Sequence, residues 1–245
     1  MGDITEVTGM VLSAMPVGEY DRRIVLLTKE RGKISAFAKG ARRPSSPLLG
    51  VTRAFVFGTF MMYEGRTTYN LKQANITNYF EDVLLDYDAV CYACYFAELA
   101  DYYGRENVDA SSDINLLYVA LKALINKNIP NKLVRYIYEL RLIAENGECP
   151  ELFSCRECGS AEGIDVFSMS KEGVLCAGCH GAASDKIRIN QSTLYALQYI
   201  VSSPMEKLFK FTVSDEVLVE LGRVVGVVCD RTFDKVMKSA EMLDN

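Results

Sequence analysis

The chain has 245 residues, 49% of them hydrophobic and 24% charged, which describes a folded globular protein and excludes a disordered or low-complexity one. It is acidic overall, with 27 Lys and Arg against 32 Asp and Glu. No apolar run approaches the roughly 18 residues of a membrane-spanning helix, since the nearest, 217–229, is interrupted by Glu220 and Arg223.

In chain order, the first 80 residues read as five short strands, at 4–14, 22–28, 33–40, 54–63 and 69–76. These runs are rich in β-branched and aromatic residues, with Gly, Pro, Asp or Ser between them. The segment 29–33 predicts a tight hairpin turn on Gly32. The segment 42–50, with two prolines and two serines, predicts a loop. Five strands with one longer connection suit a small barrel of the OB or SH3-like kind.

From Glu81 the apolar period becomes helical. One helix is expected to run to a stop at Gly104, a second to open at Ser112 or Asp113, and a third to span 131–146. Ser192 is expected to cap a helix that stops before Pro204. Ser214 should cap a last, long one through Val217, Leu221, Val224 and Val228 towards Val236. The predicted fold is therefore α+β and multi-domain. Residues 1–80 form a five-stranded OB-fold-like β-barrel and 81–245 an all-α domain, with a zinc finger inserted at 149–183.

The charge divides along the same line. Residues 1–80 hold 11 basic and 6 acidic side chains, whereas 81–245 hold 16 and 26. Such asymmetry fits either a basic module for a polyanion or chance clustering on a solvated surface. Lys39, Arg42 and Arg43 fall within five residues, and Arg22, Arg23, Lys33 and Arg53 lie nearby in sequence. These seven are candidate phosphate contacts. Phe37, Phe55, Phe57 and Tyr69 are candidates for base stacking, although alternation sends about half of them into a barrel core.

Cys155 and Cys158 are followed, after seventeen residues, by Cys176 and Cys179. Two C-x2-C pairs at this separation match structural zinc sites, in which four thiolates complete a tetrahedral shell and leave no position for a reacting water. Unligated core cysteines or an iron–sulfur cluster are the alternatives. The string Cys176-Ala-Gly-Cys179-His180 also reads as a c-type haem attachment. That chemistry needs export, and the first twelve residues have no basic stretch leading into an apolar one. A cytoplasmic, nucleoid-associated protein with reduced cysteines is expected. Cys91, Cys94, Cys149 and Cys229 read as core packing.

The single histidine lies beside the cysteine cluster, and no nucleotide-binding or zinc-protease motif occurs. Asp86, Asp88 and Asp101 at their spacing look like solvated helix faces. No enzyme is expected.

The stretch 20–50, with an aspartate before an apolar strand, "LLT", a Gly turn and then "AKGARR" followed by serine, resembles the N-terminal signature of the RecO family of bacterial recombination mediators. The stretches "YELRLIAENGECPELFSCRECG" and "FSMSKEGVLCAGC" are similar to that family's central region. Residues 50–55, Gly-Val-Thr-Arg-Ala-Phe, depart from the family's usual Gly-x-Leu-Gln-Pro-Phe. The resemblance covers about residues 4–180. It implies an OB-fold, a helical domain with a zinc finger, and binding of single- and double-stranded DNA with strand annealing. It also implies work with RecR to load RecA onto DNA coated by single-strand-binding protein, whose acidic C-terminal tail recruits the protein. The rival reading is a zinc-ribbon adaptor that binds acidic protein tails and no DNA; an enzyme with cleft carboxylates is a third.

Overall fold

Alternation of buried and outward residues is regular along the N-terminal strands. In Gly32–Ala38 (β3), for instance, Ile34, Ala36 and Ala38 are buried while Lys33, Ser35 and Phe37 face out. The computed structural model describes residues 4–65 and 68–243; residues 1–3 of the stretch read for a leader lie outside them. By packing the chain divides into two units. The first comprises Met1–Ile125 with Met237–Asn245, and the second Asn126–Val236. This division falls later than the change from strand to helix at residue 80.

In the first unit, β1 (Ile4–Val17), β2 (Asp21–Thr28), β3, β4 (Phe57–Glu64) and β5 (Tyr69–Asn78) close in the order β1-β2-β3-β5-β4. This order is that of an OB barrel. Closure depends on β1, which is long enough to serve two neighbours. Its first half pairs with β4, from Ile4 opposite Tyr63 to Met10 opposite Phe57, and from Gly9 to Val17 it pairs with β2, with a bulge between Val11 and Ser13. The last seam joins β3 to β5 in parallel. Val7, Val11, Ile24, Leu26, Ile34, Phe60, Met62 and Leu71 fill the interior.

Gly32 supplies the predicted turn with φ 61°, and a Cβ there would stand 2.0 Å from the Arg105 carbonyl oxygen. The proline-rich connection is not wholly a loop. Its end forms one helical turn, α1 (Leu48–Val51), whose Leu48 and Val51 plug the barrel.

The expected helix from 81 to 104 is broken in two, α2 (Glu81–Leu84) and α3 (Tyr87–Tyr103). Asp86 makes the break, because its side chain accepts a hydrogen bond from the Ala89 N–H and so caps α3. α3 packs on α4 (Ser111–Leu124) and on β1. The carboxylate of Glu98 receives the backbone N–H groups of Lys238 and Ser239, tying the C-terminal segment to α3.

In the second unit α5 (Asn131–Glu145), α6 (Gln191–Ser202) and α7 (Asp215–Thr232) pack on one another. A three-stranded sheet is inserted between α5 and α6, with β6 (Ile164–Ser168) between β7 (Gly173–Cys176) and β8 (Ile187–Arg188). Two helix boundaries correct the sequence reading. α6 is capped by Asn190, whose side chain accepts from the Thr193 N–H, not by Ser192. α7 starts at the Ser214 cap as expected but ends at Thr232, leaving Val236 exposed beyond it.

Candidate nucleic-acid interface and metal centre

The basic loop after β3 is stitched to the turn between β1 and β2. The Gly40 N–H donates to Asp21 Oδ1 at 2.7 Å and the Arg42 N–H to the Tyr20 carbonyl at 2.8 Å. Gly40 takes φ 67°, which turns the chain back on itself and brings the two segments side by side. Arg42 then reaches across with Nη1 to the carbonyl oxygens of Gly18 (3.2 Å) and Glu19 (3.1 Å). The Arg43 guanidinium lies 5.0 Å from the centre of the Tyr20 ring. Lys39, Arg42, Arg43 and Arg53 are all exposed, and no carboxylate pairs with any of them among the described residues.

Arg22 sits below this lip as a strut. Its Nη1 donates to the Leu49 carbonyl at 3.0 Å and to Thr52 Oγ1 at 2.9 Å, fixing α1. Burial, followed by the charges of Arg42 and Arg53, lowers its pKa, so these three cations stand close enough to repel. Arg23 lies on the outer face of β2, donating to Ser35 Oγ at 3.2 Å and paired in register with Phe37. Lys33 is set apart from the group. Its Nζ donates to the Asp101 carbonyl at 2.6 Å and lies 3.4 Å from the Asp101 carboxylate, so it fastens β3 to α3.

The aromatic candidates are mostly packing. Phe55 and Tyr69 are buried, Phe57 is half-buried and stacks edgewise on Tyr118 with ring centroids 4.9 Å apart, and Phe37 is half-buried on the outer face. The aromatic that does face solvent beside the cations is Tyr20, 42% exposed, which sequence reading passed over. Its place in a hairpin turn was the available signal, because a turn residue has no barrel interior to enter. In the second unit, Arg135 pairs with Glu139 at 2.8 Å. Arg141 pairs with Glu145 and also donates to the carbonyls of Ile200, Val201 and Ser203 at the end of α6. The two arginines are thus tied to partners within the helical layer.

The four cysteines of the paired motifs converge. The Sγ atoms of Cys155, Cys158, Cys176 and Cys179 all lie within 4.8 Å of one another, with Cys158 to Cys176 at 3.7 Å, and no disulfide joins them. A tetrahedral thiolate shell with metal–sulfur bonds of about 2.3 Å has edges of about 3.8 Å, so the spacing fits a metal ion with little movement. Two backbone turns build the cage. The Gly159 N–H donates to the Cys155 carbonyl at 2.8 Å and the Cys179 N–H to the Cys176 carbonyl at 2.9 Å. Cys155, Val166, Leu175 and Ala183 form a small core behind it.

Burial alone would raise the Cys155 thiol, but the backbone N–H groups of Cys176, Cys158 and Glu157 and the Cys158 thiol bring it down to about 6. Cys179, hydrogen-bonded by the Cys158 and Cys176 thiols, is pushed up to about 12. Without a cation the cage thus holds thiolate charge unevenly; a dication relieves the repulsion among all four. His180 lies outside the cage, its Nδ1 3.0 Å from Asp165 Oδ1. The other cysteines behave as core. Burial raises Cys94, lifts Cys149 to about 11 and holds Cys229 well above the ordinary thiol range.

Asp86, Asp88 and Asp101 do not converge. The first caps α3, the second stands exposed in its first turn, and the third binds Lys33.

An OB-type barrel with a cationic lip, followed by helices that carry a four-thiol metal cage, is the build of an accessory protein of DNA metabolism. The family model described as "Recombination protein O N terminal" matches residues 1–80, and "Recombination protein O C terminal" matches 84–241. Among curated proteins, the chain is 35% identical to "DNA repair protein RecO" of Acetivibrio thermocellus over 219 residues, covering 89% of this chain and 87% of that one. It is 33% identical to the protein of the same name from Alkaliphilus metalliredigens, covering 89% of each. For that of Bacillus subtilis the identity is 27% over 241 residues, covering 98% and 94%. The chain belongs to the RecO family of DNA repair proteins. No helix among the described residues is long and apolar enough to cross a membrane.

Proposed function

We propose that this protein is a recombination mediator that binds single- and double-stranded DNA and anneals complementary strands. With RecR, it helps load RecA onto DNA coated by single-strand-binding protein, to which it is recruited through that protein's acidic tail. It works in the cytoplasm at the nucleoid and makes or breaks no covalent bond. In this reading residues 1–80 are the DNA-binding module. Residues 81–245 are a helical chassis, and 149–183 are a finger in which Cys155, Cys158, Cys176 and Cys179 hold a structural Zn²⁺.

The observation that carries the reading is the lip. Lys39, Arg42 and Arg43 are exposed and, among the described residues, free of carboxylates, on a loop that backbone hydrogen bonds hold in place. Phosphates binding there displace no internal ion pair, so neutralisation of the DNA backbone is nearly all gain. Arg23 and Arg53 extend the contact, Arg22 positions the loop's far end, and Lys33 serves the barrel. Tyr20 offers a ring for sequence-independent stacking. Annealing follows because two strands that share one cationic surface no longer repel.

With about four phosphates contacted, affinity for a single strand falls with a log–log salt slope of about −3. The double substitution Arg42→Ala/Arg43→Ala should leave the melting temperature unchanged, weaken oligonucleotide binding, and flatten that slope by about 1.4. An unchanged slope removes the loop from the interface. Absence of any oligonucleotide binding by the unaltered protein, with zinc and acidic-tail binding retained, would establish the adaptor reading instead.

A further inference from the structure

From residue 73 to 104 the chain has no lysine or arginine, but it carries Glu81, Asp82, Asp86, Asp88, Glu98 and Asp101. Within that stretch the junction of α2 and α3 puts its largest apolar side chains into water. Leu85 is 85% exposed and Tyr87 79%, with Leu84 beside them also exposed. Glu81, Asp82 and Asp88 around them are exposed and pair with no cation among the described residues.

The junction is nevertheless firmly built. Val83 is fully buried under it, and Phe80, held at φ 50° by its N–H bond to Asn78 Oδ1, wedges against the Tyr118 ring at 5.1 Å. Asp86 fixes the first turn of α3. Leucine and tyrosine are therefore presented by a preset backbone, which keeps the ordering cost of an interface low.

We propose that the α2–α3 junction is a protein-docking knuckle whose partner offers an apolar recess rimmed by lysine and arginine. An apolar centre inside a charged rim is the usual arrangement of a binding hot spot. The sign of the rim selects the partner class, because four carboxylates within eight residues repel nucleic acid and anionic lipid alike. The basic lip and the acidic knuckle thus divide the first unit's surface chemistry between DNA and protein.

The probe is purified RecR, the protein partner in the proposed function, on which this test rests. Full-length chain, Leu85→Ser/Tyr87→Ser and Asp82→Lys/Asp88→Lys are titrated with RecR by calorimetry, and each is checked for melting temperature and oligonucleotide binding. The apolar double variant should lose about tenfold or more in RecR affinity. The charge-reversed one should lose less, and its deficit should shrink at high salt. Melting and DNA binding stay as in the unaltered chain. RecR affinity within about twofold for both variants overturns the knuckle while leaving the proposed function standing. No binding of RecR by the unaltered chain overturns the RecR part of that function and the knuckle with it. Self-association that sedimentation detects in the unaltered chain and the Leu85→Ser/Tyr87→Ser variant abolishes assigns the face to a second copy, which also overturns the proposal.

Discussion

The lip of the barrel and the thiol cage of the finger are both clusters of like charge, and they differ in what keeps them from flying apart. On the lip, Arg42 is braced by the carbonyl oxygens of Gly18 and Glu19 and Arg43 by the Tyr20 ring, while water screens the remainder. In the cage, backbone N–H groups accommodate Cys155 as an anion, but Cys179 is driven towards the protonated form. An exposed cluster stays charged with no ligand present. A packed one needs its counter-ion to reach its full charge. A metal held in the cage would thus be part of the fold, whereas DNA, in the proposed function, would only visit the lip.

Removing the metal should produce the largest effect. Structural zinc contributes about 10 kcal/mol or more in small thiolate modules at neutral pH, so chelation or Cys158→Ser should melt the finger. Elemental analysis should give one equivalent of zinc in the intact chain and none in the variant, with a lower melting temperature for the second unit. Acid acts in the same direction, since a proton competes for every thiolate.

Next in size is Gly32→Ala. A methyl group there meets the Arg105 carbonyl at a left-handed φ, and the cost should be about 3 kcal/mol by urea denaturation, confined to the first unit. Zinc content should not change, which separates the two units' stabilities. Smallest is Lys33→Ala. Its half-exposed pair with Asp101 contributes at most about 1 kcal/mol, and the variant should bind oligonucleotides with the unaltered salt slope. A flattened slope would return Lys33 to the lip and blur the division between structural and displayed cations.

Much of this was legible in the residues. The five strands follow from alternation, Gly32 from its turn, and the cage from the spacing of its cysteines, because each of these is a local pattern. What escaped depends on partners far along the chain. Lys33 and Arg42 have the same chemistry in sequence, yet one meets Asp101, 68 residues away, and the other reaches a neighbouring turn. Arg141 closes the end of a helix some 60 residues later, a contact that no local pattern announces. Asn190 and Ser192 are both good caps, and only the chain's entry into α6 decides between them. Strand aromatics are the visible stacking candidates in sequence, yet Phe55 and Tyr69 are core and the exposed ring is Tyr20, in a turn.

The seam that closes the barrel is short. Among the described residues β3 meets β5 at Ala36 opposite Tyr69 and Phe37 opposite Asn70, whereas β3 meets β2 along its whole length. Local opening follows the weakest ladder, so opening of the barrel is expected to begin along this line. The cationic loop begins at Lys39, two residues beyond Phe37. This short join and the proposed recognition loop are thus neighbours on one strand, and a strand of nucleic acid gripping that loop would also act as a clasp on the barrel.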